Sequence, residues 1–337
     1  MPTARAAAVD RAESAVVLVV LDGVRWQDVF AGGDPVLAHA CGFDAGAWTN
    51  PRALTPNLHR LMEKEGVALG GPHGRADISA SGPQYISLPG YEEIFAGRPV
   101  PSCDSNDCPR PYDPTIPDRV VASGLPGDAA VVASWPLIAR AASAAEPTFF
   151  VSAGRHLLVK DGGALDDDPA VKSLCERAAV SDALPGEGDY RPDELTAALA
   201  LRVLADAEPR FLFVGLGDAD EYAHRGNYRG YLEALHASDA FLGALGDALR
   251  VMGARGQHTT LLVTTDHGRA YDFTDHGPQF PESSKVWLVA AGADVRGRGG
   301  VVPLRRYTLS DVAPTVLALL GVGSTEDGAI DGIVGRR

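Results

Sequence analysis

Ala15-Val16-Val17-Leu18-Val19-Val20-Leu21 runs directly into Asp22-Gly23. Its seven consecutive apolar residues, four of them valine, are strand-sized and β-branched. The run does not alternate with polar residues, so both of its faces are covered. That is the habit of a parallel strand packed under helices on each side.

The same signature recurs at Ala129–Ser134, Thr148–Ser152, Arg210–Leu216, Thr259–Thr265 and Lys285–Ala291. Between these runs lie segments of helical period. Pro56–Glu65 is entered through Thr55-Pro56 and stopped by Gly66; the others are Pro192–Ala207, Tyr228–Met252 and Ser310–Leu320. Strands alternating with helices predict an α/β fold on a parallel sheet. No internal repeat breaks the pattern. The Gly- and Pro-rich stretches near 97–118 and 160–190 read as insertions on one catalytic domain spanning 15–322, flanked by tails at 1–14 and 323–337.

Ligands of open α/β sheets bind beyond the carboxyl ends of the strands, so a polar residue directly after a buried strand is a functional candidate. Here three strands end in aspartate: Asp22 after Leu21, Asp218 and Asp220 after Leu216, and Asp266 after Thr265. One such residue is commonly only a helix cap. Three converging at one sheet edge need a counter-charge, and divalent cations supply it. Histidines accompany them. Asp220 and His224 are four apart and share one helical face, His267 follows Asp266, and His276 lies nine residues further on. Imidazole with carboxylate suits Zn²⁺ or a similar first-row metal better than Ca²⁺. His39, His59, His73, His156, His236 and His258 lack such company.

Ser87 opens Ser87-Leu88-Pro89-Gly90-Tyr91-Glu92-Glu93, which reads as a helix start with serine at the cap, acidic residues in the first turns and Gly97 as the stop. A hydroxyl there, held by a metal, would be stabilised as alkoxide beside backbone N–H groups that receive an anion. No G-x-S-x-G elbow occurs, so a hydrolase triad is not indicated.

In this order, strand-Asp22, Ser87-x-Pro89, Asp220-x-x-x-His224, Asp266-His267-Gly268 and His276, the chain resembles the alkaline phosphatase superfamily over residues 15 to 322. Within it, the nucleotide pyrophosphatase/phosphodiesterase-like branch is the most similar, and Leu309–Gly321 looks like the superfamily's C-terminal helix. The resemblance implies a three-layer sandwich with a mostly parallel central sheet. It implies one metal held by Asp22, Ser87, Asp266 and His267, and a second held by Asp220, His224 and His276, most expected as Zn with Mn or Mg as alternatives. It further implies two-metal-dependent hydrolysis of a phosphomonoester or phosphodiester through a phosphoseryl intermediate on Ser87. Asn106, nineteen residues after Ser87, takes the role of the branch's asparagine that contacts a phosphoryl oxygen.

Departures are visible. The branch more often has threonine as nucleophile. Sulfatases of the superfamily read C/S-x-P-x-R, and Tyr91 stands at the arginine position. Arg155 and Lys160 are the candidates for holding a terminal phosphate, without a motif behind them. Val24 replaces the second Asp of a haloacid-dehalogenase pattern, and no G-x-G-x-x-G follows the first strand. The remaining alternatives are a sulfatase-like or phosphomutase-like activity, or an idle metal-bearing binding protein.

The 337 residues carry 30 Lys plus Arg against 44 Asp plus Glu, a net charge of −14. That excess, with no basic run, argues against nucleic acid as a bulk partner and leaves a small phosphorylated substrate as the expected one. No apolar stretch reaches the roughly 18 residues of a membrane span. Ala4-Arg5-Ala6 has the form of a signal-peptidase site without the apolar segment that should precede it, and reads as an export-signal remnant. Periplasmic or secreted location is therefore expected, with cytoplasmic as the alternative. Cys103 and Cys108 enclose Asp-Ser-Asn-Asp, a spacing a disulfide can bridge; in an exported chain the bond is expected, otherwise two reduced thiols.

Overall fold

β1, Ala15–Leu21, is buried at every position and is the central strand of a nine-stranded sheet. The computed structural model describes residues 14–72, 77–124, 128–292, 295, 299–300, 305–323 and 328–334. The segment read as an export-signal remnant lies outside them, as does His73. The other strands follow in chain order as β2 (Gly66–Leu69), β3 (Ile78–Ser79), β4 (Ala129–Ala133), β5 (Phe150–Ala153), β6 (Leu157–Val159), β7 (Phe211–Leu216), β8 (Thr259–Thr264), β9 (Leu288–Ala291), β10 (Gly299–Gly300) and β11 (Tyr307–Thr308). Across the large sheet the order is β10-β2-β9-β8-β1-β7-β4-β5-β6, and β3 pairs with β11 in a separate two-stranded sheet.

From β8 to β5 the strands run parallel, with β1 paired to β7 on one side and β8 on the other. β9 runs antiparallel to both β8 and β2, and β6 closes its edge antiparallel to β5. The fold is thus an α/β sandwich on a mostly parallel sheet. Alternate side chains of β1 divide between two cores, as a strand's period of two demands. Val16, Leu18 and Val20 join the core under the helices Ser87–Ala96 and Val312–Leu320, whereas Val17, Val19 and Leu21 join the one under Asp193–Ala207 and Tyr228–Val251. Truncating any of these fully buried side chains to alanine costs about 1–5 kcal/mol, depending on how far the cavity collapses.

All six sequence-predicted strands lie in the large sheet. The last is shorter than expected: residues 285–287 stay outside, and β9 begins at Leu288 and runs antiparallel. A buried apolar run carries no mark of its direction. The stretch 160–190 contains a helix, Pro169–Val180, started by the Asp168 carboxylate accepting from the amides of Ala170 and Val171, with Pro169 next to the cap. In the C-terminal stretch, Ile330 and Ile333 are buried, and the Ile330 amide donates to Thr315 on the helix Val312–Leu320. Among the described residues, no helix is long and apolar enough to cross a membrane.

Candidate metal centre and cleft

The three strands that end in aspartate, β8, β1 and β7, are immediate neighbours in the sheet, so their carboxyl ends deliver Asp266, Asp22 and Asp220 to one place. Asp22 is 5%, Asp220 6% and Asp266 0% exposed. Buried unpaired charge is expensive, several kcal/mol per ion even after relaxation. Its strain shows in the titration of the group. Burial, then the charges of Asp266 and Asp220, push Asp22 well above the usual carboxylate range. Burial, then Asp220, push Asp266 up to about 8.

The donors form two groups. Asp22, Asp266 and His267 make the first. His267 Nδ1 lies 2.9 Å from the Gly268 carbonyl, which can only accept, so the proton sits on Nδ1 and Nε2 presents a lone pair. Nε2 faces Ser87 Oγ at 3.2 Å, Asp266 Oδ2 at 3.4 Å and Asp22 Oδ1 at 3.5 Å. Burial, then His276, hold its pKa well below the usual range, so the ring is neutral. Asp220, His224 and His276 make the second group. Asp220 and His224 share the helix Asp218–His224, with Oδ2 and Nε2 3.0 Å apart, and the Nε2 atoms of His224 and His276 are 3.1 Å apart. His276 Nδ1 lies 3.0 Å from the Tyr85 carbonyl, again leaving Nε2 bare, and burial lowers its pKa to about 4.

These donors fit a pair of divalent cations. Asp266 Oδ2 is buried with no hydrogen-bond donor. His267 turns its Nε2 lone pair toward two carboxylates, an arrangement that is repulsive without a positive charge between them, and His276 turns its own toward His224 Nε2 in the second group. Zn, Mn and Mg are not distinguished by it.

Ser87 is where the prediction needs correcting. It is the first residue of the helix Ser87–Ala96 and makes no cap; Ile86 occupies the cap position. The hydroxyl turns toward Asp22 Oδ1, at 3.4 Å, and His267. Of the two glutamates expected to complement the helix start, Glu93 accepts from Ser81 and Ser310 instead, and Glu92 Oε1 is buried without a partner. Gly97, with φ of +72°, ends the helix as expected. Aromatic packing holds this helix on the sheet, with Phe95 and Tyr91 at 4.5 and 6.2 Å from the Phe213 ring of β7. Two glycines allow the close approach. A Cβ at Gly90 would lie 2.5 Å from the Asp266 carbonyl oxygen, and Gly23, at φ +60°, has no room for one beside Asp220 Oδ1.

Asn106 sits between Cys103 and Cys108, which are disulfide-bonded. Its Oδ1 accepts from the Leu88 amide at 3.0 Å, so the orientation of the carboxamide is set by the helix that begins at Ser87. Asn106 and Ser87 line a cleft of about 220 Å³, together with Trp135, Ile138, Tyr190 and Glu221. Arg155 and Lys160 do not line it; Arg155 donates to the carbonyls of Ala178, Ala179 and Gly188, and Lys160 to that of Asp166.

Sequence reasoning misses Tyr91, whose hydroxyl donates to Asp22 Oδ2 at 3.0 Å, although its place four residues after Ser87 puts both on one helical face. It also misses Arg269. Fully buried, Arg269 contacts Asp220 Oδ1 through Nη1, lies 3.4 Å from His224 Nδ1 through Nη2, and donates to the carbonyls of Phe273 and Thr274. The Arg25–Asp28 pair anchors the same loop, since Arg25 Nη1 donates to the Tyr271 carbonyl at 2.9 Å. Burial would raise the Asp220 carboxyl, but Arg269 and then His224 hold it well below the usual range.

A family model described as the metalloenzyme superfamily matches residues 189–324, the stretch that carries Asp220, His224, Asp266, His267 and His276. The chain is 30% identical over 248 residues to a 2,3-bisphosphoglycerate-independent phosphoglycerate mutase of Natronomonas pharaonis, covering 72% of this chain and 42% of the mutase. The mutase of Halobacterium salinarum is 27% identical over 241 residues, covering 70% of this chain and 41% of its own. The chain thus spans about two fifths of the length of these curated relatives. Among solved structures, a 2-O GAG sulfatase aligns over 94% of this chain and 72% of its own, with a TM-score of 0.58 at 14% identity. The phosphonate monoester hydrolase of Agrobacterium radiobacter aligns over 92% and 74%, with a TM-score of 0.56 at 16% identity. Residues 189–324 thus match the alkaline-phosphatase-like metalloenzyme superfamily, and the sheet that carries them has the fold of these sulfatase and hydrolase structures.

Proposed function

We propose that this chain hydrolyses phosphate esters with Ser87 as nucleophile, on a site that holds two divalent cations, Zn before Mn or Mg. The observation that carries the reading is the placement of Ser87 Oγ. It lies buried at the cleft, at the start of a helix, within 3.4 Å of both Asp22 Oδ1 and His267 Nε2. Asp22, Asp266 and His267 would hold one cation with Ser87, and Asp220, His224 and His276 the other. When bound, such cations supply charge that stabilises alkoxide and phosphoryl oxygens. The residues of the chain do the rest. Ser87 Oγ gives up its proton and attacks phosphorus in line as the P–O bond to the leaving group breaks, the departing oxygen taking a proton from water. Water then attacks the phosphoserine, the Oγ–P bond breaks, Oγ regains a proton and the phosphate product leaves. Asp22 is kept in place by the Tyr91 hydroxyl. Asn106, with Oδ1 occupied by the Leu88 amide, has its Nδ2 to donate to a phosphoryl oxygen.

Asn106→Ala is expected to lower kcat by about 100-fold, the scale for one donor to a developing oxyanion. Metal content should not change, because Asn106 contacts no residue of either donor group. Unchanged kcat would remove Asn106 from the mechanism. The disulfide that closes its loop supports an oxidising compartment, periplasmic or secreted.

The cleft favours singly charged esters. None of the described residues lining it is Lys or Arg, and Glu221 faces it. Trp135, Ile138 and Tyr190 form a wall suited to an apolar or aromatic group. A dianionic monoester terminus finds no side-chain cation there, whereas a diester gives up one charge and gains a second substituent for the wall. Bis(4-nitrophenyl) phosphate and 4-nitrophenyl phosphate share a leaving group, and kcat/KM should favour the diester at least about tenfold. A monoester preference would reverse this assignment. Activity on a sulfate ester alone would favour the sulfatase reading, which the tyrosine at position 91 opposes. The mutase names of the curated relatives define the other alternative, in which a phosphoryl group moves within one substrate and no inorganic phosphate is released.

A further inference from the structure

We propose that Arg269 makes the Asp220–His224–His276 site the weaker of the two, so that the chain takes up its cations in sequence, the Asp22–Asp266–His267 site first. The inference rests on the two-cation reading above and concerns how that site is loaded.

The two donor groups differ in charge. The first brings two carboxylates, Asp22 and Asp266, and among the described residues no Lys or Arg side chain pairs with either. The second brings one carboxylate, Asp220, and Arg269 contacts it directly. One group is therefore formally doubly negative and the other, counted with its arginine, neutral. Ligand charge count is a main determinant of divalent-cation affinity.

Geometry adds to charge. Arg269 engages Asp220 Oδ1, leaving Oδ2 as the oxygen on the side of His224. Arg269 Nη2 also points a donor at His224 Nδ1 from 3.4 Å, a contact that requires the lone pair on Nδ1 and the proton on Nε2. A cation held through Nε2 needs the opposite tautomer, with the proton on Nδ1. Nδ1–H would then confront an arginine N–H. In the first group the neighbouring carbonyl works the other way, because Gly268 O holds the proton of His267 on Nδ1 and keeps Nε2 ready. Arg269 cannot easily swing aside, since Nε and Nη2 are also held by the Phe273 and Thr274 carbonyls and the side chain is fully buried. It is a positioning residue that acts on a cation through Asp220 and His224.

Calorimetric titration of Zn²⁺ into the metal-free full chain, with a competing chelator to bring both steps into range, tests this without measuring activity. Wild-type protein should bind two ions with dissociation constants at least tenfold apart. His276→Ala should delete the weaker step and His267→Ala the tighter one. Arg269→Met should tighten the weaker step at least tenfold and leave the tighter step unchanged. A merely structural role predicts the opposite, because losing the anchor of the loop that carries His276 would weaken that step. Equal wild-type affinities, the reverse assignment of the steps, or a weaker second step in Arg269→Met would each overturn the proposal while leaving two bound ions. A chain that binds no Zn²⁺ would overturn the two-cation reading itself, and this inference with it. Should Arg269→Met fail to fold, the spacing and assignment of the steps in the other proteins still decide.

Discussion

Ser87→Ala should lose turnover of a phosphodiester by about 10⁴-fold or more, the scale seen when a covalent nucleophile is deleted from an otherwise intact site. The substitution is structurally mild. Ser87 makes no helix cap, and alanine suits the first helical position as well as serine does. The Leu88 amide keeps its bond to Asn106, and Tyr91 keeps its bond to Asp22. Three of the four donors of the first cation site remain, so bound metal, measured by mass spectrometry of the desalted protein, should persist with at most a modest loss of affinity. Acid quenching during turnover should trap one phosphoryl group on the Ser87 peptide in wild type and none in the variant. Full activity in Ser87→Ala, or a phosphoryl group on another residue, would refute the nucleophile.

Removing the cations should have the second large effect. Dialysis against a chelator is expected to abolish hydrolysis, by at least about 10³-fold, with recovery on adding Zn²⁺ or Mn²⁺. Activity indifferent to chelation would sink the metal assignment. Stability should move as well. An ion present at about 1,000 times its dissociation constant stabilises the folded state by about 4 kcal/mol, on the order of 5 °C in Tm for a chain of this size.

The metal-free protein should also acquire a pH dependence that the loaded protein lacks. Burial, then the Asp220 charge, raise the Asp266 carboxyl from 3.8 to about 8. A carboxyl raised on folding contributes its stability in full below its unfolded pKa and loses it as pH rises through its folded value. Metal-free Tm should therefore fall from about pH 4 to about pH 8 through this group. Loading the ion at pH 7 should release protons, measurable in a weakly buffered titration. A flat metal-free profile would show that these carboxylates are not forced together.

Much of this site is legible in the chain before it folds. Asp22, Asp220 and Asp266 each follow a buried apolar run, and the rule that sheets bind ligands at strand carboxyl ends turns that local pattern into a shared location. Asp220 and His224 declare their common face through the helical period alone. Both signals are short-range, set by the backbone geometry of one strand or one turn, which is why they survive in a single sequence.

What the sequence leaves open involves partners far apart along it. Ser87 and His267 are 180 residues apart, and nothing near either says that one hydroxyl will face the other's Nε2 and not cap its own helix. Arg269 follows the Asp266-His267-Gly268 motif, yet only folding shows that it turns to Asp220, 49 residues away, and not to solvent. The direction of β9, the wall made by Trp135 and Ile138, and the orientation of Asn106 are of the same kind. Residue type and spacing determine which groups can do chemistry and at which element ends they stand. Strand order decides which of those ends become neighbours, and close packing between distant segments decides where each side chain points. The donors were therefore written locally, whereas the difference in charge and tautomer between the two halves of the site exists only in the assembled sheet.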